Sequence, residues 1–384
     1  MNKKLIRITT IAASLNGLLT GQLRFMSGHY EVIGIASEGE RELENIAKRE
    51  GIRVIPVGMT RTISPIKDLV AMWELYKIFK KEKPFIVHTH TPKAGTVGML
   101  AAYLARVPHR LHTVAGLPLL EAKGNKRALL NFVEKITYGA ATKVYPNSFG
   151  LKQIILDHQF TTSKKLKVLG NGSSNGIDTQ YFDPEQYPVP DKEKLRTSLG
   201  IQENDAVFIF VGRMVGDKGV NELVGAFSQL SKNYNNVKLM LLGSRESHLD
   251  PLLPETEAAI NRHPGIISMG WQRDVRPFFA ISDILTFPSY REGFPNVVLQ
   301  AGAMGLPSIV TDINGCNEII EDGKNGYIIP VKDPNSLYQK MEMFYLQNQE
   351  GSIFDKNKIR NRIVTQYNRP AIWEAILAEY DSLE

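Results

Sequence analysis

The chain has 384 residues, 43% of them hydrophobic and 22% charged, the mix of a soluble globular protein too long for one ordinary core and suited to two domains. No apolar run reaches about eighteen residues without a charge or a breaker, which argues against a transmembrane helix. Cys316 stands alone and cannot form an internal disulfide, so a reducing cytoplasm is the expected compartment. The net charge of +6 is uneven: residues 1–185 carry 26 Lys+Arg against 15 Asp+Glu, and the remainder is net negative. Such a split fits either an anionic partner for the first half or a solvated basic surface.

In chain order, Lys3, Lys4 and Arg7 precede an apolar run that could be read as a signal peptide, but Thr9, Thr10, Ser14, Asn16 and Gly17 interrupt it. A strand followed by a loop fits better. Further strands are expected at Tyr30–Ala36, Arg53–Pro56, Ile86–His90, Arg110–Val114, Lys143–Pro146 and Lys167–Leu169. Helical patterns lie between them at Pro65–Lys83, Lys93–Ala105, Arg127–Ala140 and Ser148–Asp157. This alternation reads as βαβ units around a parallel sheet. A polar, proline-containing stretch, Asp178–Glu193, reads as a linker. The alternation then restarts with Ala206–Val211, Val237–Leu242, Ile266–Met269, Ile284–Phe287, Ser308–Val310 and Tyr327–Ile329. The expected division is therefore 1–185, 186–368 and a C-terminal helix, 369–384, whose return to the first domain the sequence alone does not decide. Two doubly wound sheets would face each other across a cleft, with ligands at the carboxyl ends of the strands.

Two loops carry chemistry. After Ala206–Val211 comes Gly212-Arg-Met-Val-Gly-Asp-Lys-Gly219, which leads into a helix at Val220. Two cations, Arg213 and Lys218, on a glycine-permitted loop at a helix start can cradle an anion; a surface turn with two solvated cations accounts for them equally well. It is not a Walker A loop. After Ile284–Phe287 comes Pro288-Ser-Tyr-Arg-Glu-Gly-Phe-Pro-Asn-Val-Val298, with Gln300 beyond. Pro295 suits a first helical turn, whose N–H groups are free to bind an anion. Glu292 just outside it can accept from sugar hydroxyls.

Arg213 and Lys218, with Glu292-Gly-Phe-Pro-Asn296 beyond them, resemble the retaining GT-B glycosyltransferases of family 4. The resemblance covers nearly the whole chain, including Gly17, the segment Asn171–Asp178 and Asp322–Gly326. The segments His88–Gly95 and His112–Pro118 resemble the branch that builds bacterial capsular and O-antigen polysaccharides. The resemblance implies a GT-B fold of two Rossmann-like domains, with an N-terminal acceptor domain and a C-terminal nucleotide-sugar domain. Arg213 and Lys218 would hold the donor diphosphate, and Glu292 would orient the donor sugar. The amides of Gly293, Phe294, Pro295, Asn296, Val297 and Val298, proline contributing only its carbonyl, would line phosphate and sugar. Gly17 would approach the diphosphate from the other domain, and Trp271 and Arg273 would flank the nucleobase. Two departures stand out. Gln300 occupies the place of a glutamate that binds the ribose, which weakens or reorients that contact. Ala115 stands where many relatives carry a histidine, whose role does not transfer.

The expected reaction moves a sugar, UDP-linked by resemblance, with retention to a polyprenyl-diphosphate-linked glycan. His90 and Lys93 would lie near the acceptor. The amphipathic segment Pro65–Lys83 either rests on an anionic membrane at its inner face or simply packs on the sheet. No metal, other cofactor or nucleic acid is expected, since no Asp-x-Asp, CxxC or HExxH motif is present. The rival readings are a non-catalytic sugar-nucleotide-binding subunit of a polysaccharide assembly complex and a GT-B sugar-nucleotide epimerase, for which no acid/base pair stands out.

Overall fold

The computed structural model describes residues 3–37, 39–62, 64–117, 119, 123–246, 250–351 and 353–383. The chain divides into two compact units, residues 1–175 with 369–384, and residues 176–368.

In the first unit the strands are β1 (Lys4–Ile11), β2 (Glu31–Ser37), β3 (Arg53–Pro56), β4 (Ile86–Thr89), β5 (His109–Val114) and β6 (Lys143–Pro146). They form a parallel sheet in the order β3-β2-β1-β4-β5-β6. The helices are α1 (Ala12–Leu19), α2 (Gln22–Ser27), α3 (Glu40–Glu50), α4 (Pro65–Glu82), α5 (Pro92–Leu104), α6 (Gly124–Ala140) and α7 (Phe149–Asp157). Strand alternation sends Ile6, Ile8 and Val87 into one core and Leu5, Ile86 and Leu111 into the other. The sheet is thus buried on both faces, as a parallel sheet requires.

The first α-helix of the second unit is α8 (Val189–Ser198). The unit holds β7 (Ala206–Val211), β8 (Val237–Leu242), β9 (Ile266–Gly270), β10 (Ile284–Phe287), β11 (Ser308–Thr311) and β12 (Gly326–Ile329). Their parallel order is β12-β11-β10-β7-β8-β9. The helices after α8 are α9 (Val220–Asn233), α10 (Pro254–Arg262), α11 (Arg276–Ala280), α12 (Asn296–Ala303), α13 (Cys316–Ile319), α14 (Pro334–Gln349) and α15 (Lys356–Tyr367). The last helix, α16 (Arg369–Asp381), belongs to the first unit, where it buries Ile372, Ile376 and Tyr380.

The structure differs from the sequence reading at four places. The unit boundary lies at 175/176 instead of 185/186. Ile177 and Phe182 are buried in the second core, and Arg360 donates to the carbonyls of Phe182 (2.7 Å) and Thr179 (3.0 Å). The expected linker Asp178–Glu193 is accordingly structured: Arg276 stacks 3.5 Å over the Tyr181 ring, and Val189 opens α8. Lys167–Leu169 is no strand. Pairing ends at Leu166, which bridges Val144, and the left-handed residues Gly170 and Gly172 turn the chain away. Gly17 sits inside α1, where a loop was expected, because Leu15 and Leu19, four residues apart, bury one helical face against the sheet.

Gly219 shows what the second unit demands of its loops. It has φ +69°, and a Cβ there would stand 2.1 Å from the Pro288 carbonyl oxygen. The loop after β7 therefore closes directly on the loop after β10, at a distance only glycine allows.

The first unit also buries three histidines beside one arginine. Arg7 points between α2 and α16, donating from Nε to His90 Nε2 (2.9 Å) and also to Gln22. His88 joins the Tyr380 hydroxyl (2.5 Å) and Thr113 (2.8 Å), and His112 joins Thr89 (2.7 Å) under Gly95. Burial, with Arg7 close by, holds His88 well below the usual imidazole range; burial and the neighbouring His88 do the same to His90. Burial, partly offset by Thr89, pushes His112 down to about 4.

Two outcomes follow. The buried histidines are neutral in the fold and take up protons in the unfolded chain. Their stabilisation is complete above an unfolded pKa of about 6.5 and is lost as pH falls below it; for His112 the loss runs down to about 4, roughly 3 kcal/mol. Urea midpoints at pH 7.5, 6, 5 and 4.5 should fall through that window, above the titration of the carboxylate Glu82, which its partners hold down; a flat profile contradicts the assignment. Gly219→Ala should lower the unfolding free energy by about 3 kcal/mol, read as a drop in Tm. An unchanged Tm would mean that the two loops do not touch.

Candidate active site

In the second unit, β7 connects toward β8 and β9 while β10 connects toward β11 and β12. The connections after β7 and β10 run to opposite sides of the sheet, so the switch point, where doubly wound sheets place their ligands, lies at the carboxyl ends of these two strands. Both loops singled out in the sequence lie there.

The link between them is the ion pair of Lys218 Nζ with Glu292 Oε1 at 2.5 Å, whose side chains are only 14% and 17% exposed. Ser289 Oγ donates to the same carboxylate oxygen at 3.0 Å. The Glu292 backbone is fixed by Asn314, whose side-chain amide donates to the carbonyls of Glu292 (2.5 Å) and Gly293 (3.2 Å). Gly315, at φ +79°, presses on Gly293 and Phe294: a Cβ there would lie 2.7 Å from the Gly293 carbonyl oxygen. Cys316 lies buried alongside; burial, reinforced by the charge of Glu292, pushes its thiol well above the usual range. It is therefore an inert packing group.

A second set of contacts ties the loops from behind. Arg291 donates to Asp217 (3.0 Å), the Asp217 amide donates to Asp250 (2.6 Å), and the Tyr290 amide donates to the Asp217 carbonyl (2.9 Å). The Tyr290 hydroxyl reaches Glu222 on α9 at 2.5 Å. These contacts set the height of Lys218, which lies in a 3₁₀ turn, Gly216–Lys218, just before α9.

Pro295 proves to be the N-cap of α12 and not its first helical residue. The Val298 amide bonds back to the Pro295 carbonyl (3.2 Å). Asn296 and Val297 thus supply the first helical N–H groups, which have no intrahelical acceptor and carry the positive end of the helix dipole. Phe294 is buried against Tyr367, a packing role. Gln300 is half-buried on α12, one turn further on.

The other expected residues belong to several different elements. Arg213 is 44% exposed and pairs with Glu246 (3.0 Å). Trp271, 70% exposed, and Arg273, also exposed, follow the edge strand β9. Gly17 is an exposed residue of α1 in the first unit. His90, expected near an acceptor, is buried under Arg7, because Arg7 shares the strand face of His88 and His90. Lys93 pairs with Asp68 at 2.5 Å and lines a pocket of about 630 Å³. Sequence reading missed Ser289, Asp217, Asp250 and Asn314. The dipeptide Asn314-Gly315 is a turn signal, but its partner is 21 residues away in the chain, beyond the reach of local patterning. Among the described residues no group of three or more His, Cys, Asp or Glu is arranged to hold a metal ion.

Two descriptions of known families match this chain. Residues 205–347 match group 1 glycosyl transferases, and residues 12–148 match the glycosyl transferase 4-like family. Over 383 residues the chain is 32% identical to the capsular polysaccharide biosynthesis glycosyltransferase CapM of Staphylococcus aureus, covering 99% of this chain and 97% of that protein. It is 30% identical over 313 residues to the UDP-Gal:alpha-D-GlcNAc-diphosphoundecaprenol alpha-1,3-galactosyltransferase of Escherichia coli, covering 81% and 78%. Among solved structures, a glycosyltransferase from Rickettsia africae ESF-5 superposes with a TM-score of 0.80 at 20% identity, covering 100% of this chain and 98% of that one. Anabaena HepE in complex with UDP and glucose gives 0.80 at 16%, covering 99% and 100%. The chain belongs to the group 1, family 4-like glycosyltransferases and has their GT-B fold.

Proposed function

We propose that this glycosyltransferase transfers a sugar, with retention, from a UDP-sugar to a polyprenyl-diphosphate-linked glycan during surface polysaccharide assembly. The observation that carries the reading is the Lys218–Glu292 pair at the switch point between β7 and β10. Lys218 supplies a compact positive charge for the donor diphosphate, and Glu292 accepts from the donor sugar's hydroxyls. The N–H groups of Asn296 and Val297 add the helix-end field. Arg213, exposed on the same loop, exchanges Glu246 for phosphate oxygens. Trp271 offers an open aromatic face for the nucleobase, and Gln300 meets the ribose through its amide. The relatives support the substrates: the Escherichia coli enzyme is named for UDP-Gal and a diphosphoundecaprenol acceptor, and a Campylobacter jejuni relative, 26% identical, is named for a diphospho-undecaprenol acceptor.

In the reaction, the bond from the sugar's anomeric carbon to the diphosphate breaks. The acceptor hydroxyl oxygen attacks the same face, and its proton passes to a leaving phosphate oxygen. The protein contributes placement and stabilisation of the developing phosphate charge, which Lys218 and Arg213 meet.

The same reading places the enzyme peripherally on an anionic inner membrane surface. No described helix is long and apolar enough to cross a membrane. On α4, Ala71, Leu75 and Phe79 pack on the sheet, while Ile66 (80% exposed), Leu69, Val70 and Trp73 face outward, with Lys77 and Lys80 one to two turns on. Sheet packing and an outward amphipathic face therefore coexist on one helix, where the sequence offered them as alternatives.

Lys218→Ala should cut turnover by about 100-fold or more in a variant that still folds, with a lowered Tm because Glu292 loses its partner. The assay is UDP release from UDP-sugars in the presence of a polyprenyl-diphosphate-linked acceptor, with the product anomer read by NMR. Near-normal turnover by the folded variant rejects the role, and an inverted anomer rejects retention. Wild type should float with anionic liposomes at low salt, and Trp73→Ala with Ile66→Ser should reduce the floated fraction severalfold. No flotation at any ionic strength counts against the membrane surface.

A further inference from the structure

The first unit has a switch point of its own. β1 leads to β2 and β3 on one side of the sheet, and β4 leads to β5 and β6 on the other. The loops after β1 and β4 must part there. The pocket of about 630 Å³ lies at this point, bounded by Thr10 and Thr91 at the strand ends and by α1, α4, α5 and α6. Its size is that of a small-ligand site.

The walls are mainly hydrocarbon: Leu69, Met72, Val97, Leu100, Leu130 and Val133. Most of the polar groups among them are already engaged. Lys93 is paired with Asp68, and the Thr10 and Thr91 hydroxyls bond to each other at 2.7 Å. Burial pushes the Glu134 carboxyl up, against the opposing pull of Tyr138. Arg61, which is exposed, also lines the pocket and supplies a cation at its edge. A phosphate or a sugar entering such a space would lose its water with too few partners in return. A hydrocarbon chain loses nothing of that kind and gains from burial. Outside the pocket the apolar surface continues on the same helices through Ile66, Val70 and Trp73 of α4 and Phe132 of α6, all exposed.

We infer that this pocket takes the isoprene units next to the diphosphate of a polyprenyl-diphosphate acceptor, with Arg61 at its edge facing the diphosphate. The inference rests on the lipid-linked reading above and adds to it that the enzyme grips the chain and not the glycan alone. The apolar helix faces beyond the pocket then lead the remaining chain toward the bilayer. Lys93 serves the site by neutralising Asp68 in its wall.

The test is calorimetric binding to the full chain, without detergent and with UDP saturating so that the donor site is closed to other diphosphates. Farnesyl diphosphate should bind at least about tenfold more tightly than inorganic diphosphate, because only the former fills the hydrocarbon walls. Val133→Trp, which fills the pocket from α6, should remove that advantage and leave UDP affinity unchanged; Thr96→Trp does the same from α5 should the first variant fail to fold. Equal binding of the two probes by wild type overturns the inference, as does undiminished farnesyl diphosphate binding in a folded, filled variant. The lipid-linked reading fails separately, if wild type does not glycosylate a polyprenyl-diphosphate-linked sugar at all. Turnover of that sugar with no contribution from the chain sinks the pocket alone.

Discussion

The ion pair of Lys218 with Glu292 joins two loops that the strand order sends to opposite sides of the sheet, and the proposed donor site depends on it. A crevice at a switch point is a general property of doubly wound sheets; what makes this one chemical is that opposite charges from β7 and β10 meet in it at 2.5 Å. The pair is mostly withdrawn from solvent, so each charge would be costly without the other. A diphosphate carries more negative charge than Glu292 and can take over the ammonium. The carboxylate, still held by Ser289, is then released to accept from sugar hydroxyls. In the proposed donor site the resting pair thus stands in for the ligand.

The support behind that pair is backbone packing more than side-chain bonding. Gly219 against Pro288 and Gly315 against Gly293 bring chain segments closer than any Cβ permits. Asn314 locks the carbonyls of Glu292 and Gly293. The Asp217–Arg291 and Tyr290–Glu222 contacts hold the reverse side. Such a loop has little freedom to reorganise during reaction, which is the condition for electrostatic stabilisation to act at low cost.

How far the sequence disclosed this structure depended on the range of the signal. Runs such as Ala206-Val-Phe-Ile-Phe-Val211 read as buried strands because every side chain is apolar, and β7 has those bounds. The loops holding Lys218 and Glu292 were legible because glycine, proline and charge fall at fixed offsets from a strand end. What escaped depended on distant partners. His90 looks available in the sequence, yet Arg7, 83 residues earlier, covers it. Gly17 reads as a loop residue until the burial of Leu15 and Leu19 shows a helix. Asn314 and Asp250 gain meaning only once the loops they hold are folded together. The pocket proposed for the acceptor lipid takes walls from four helices and two strand ends, and no local pattern announces it.

The central claim is that one diphosphate replaces Glu292 as the partner of Lys218, and a crystal structure of the UDP complex tests it most directly. The account predicts a phosphate oxygen within hydrogen-bond distance of Lys218 Nζ, near the amides of Asn296 and Val297, with the ammonium drawn off the carboxylate. UDP seated elsewhere, with the Lys218–Glu292 contact still closed, would contradict it.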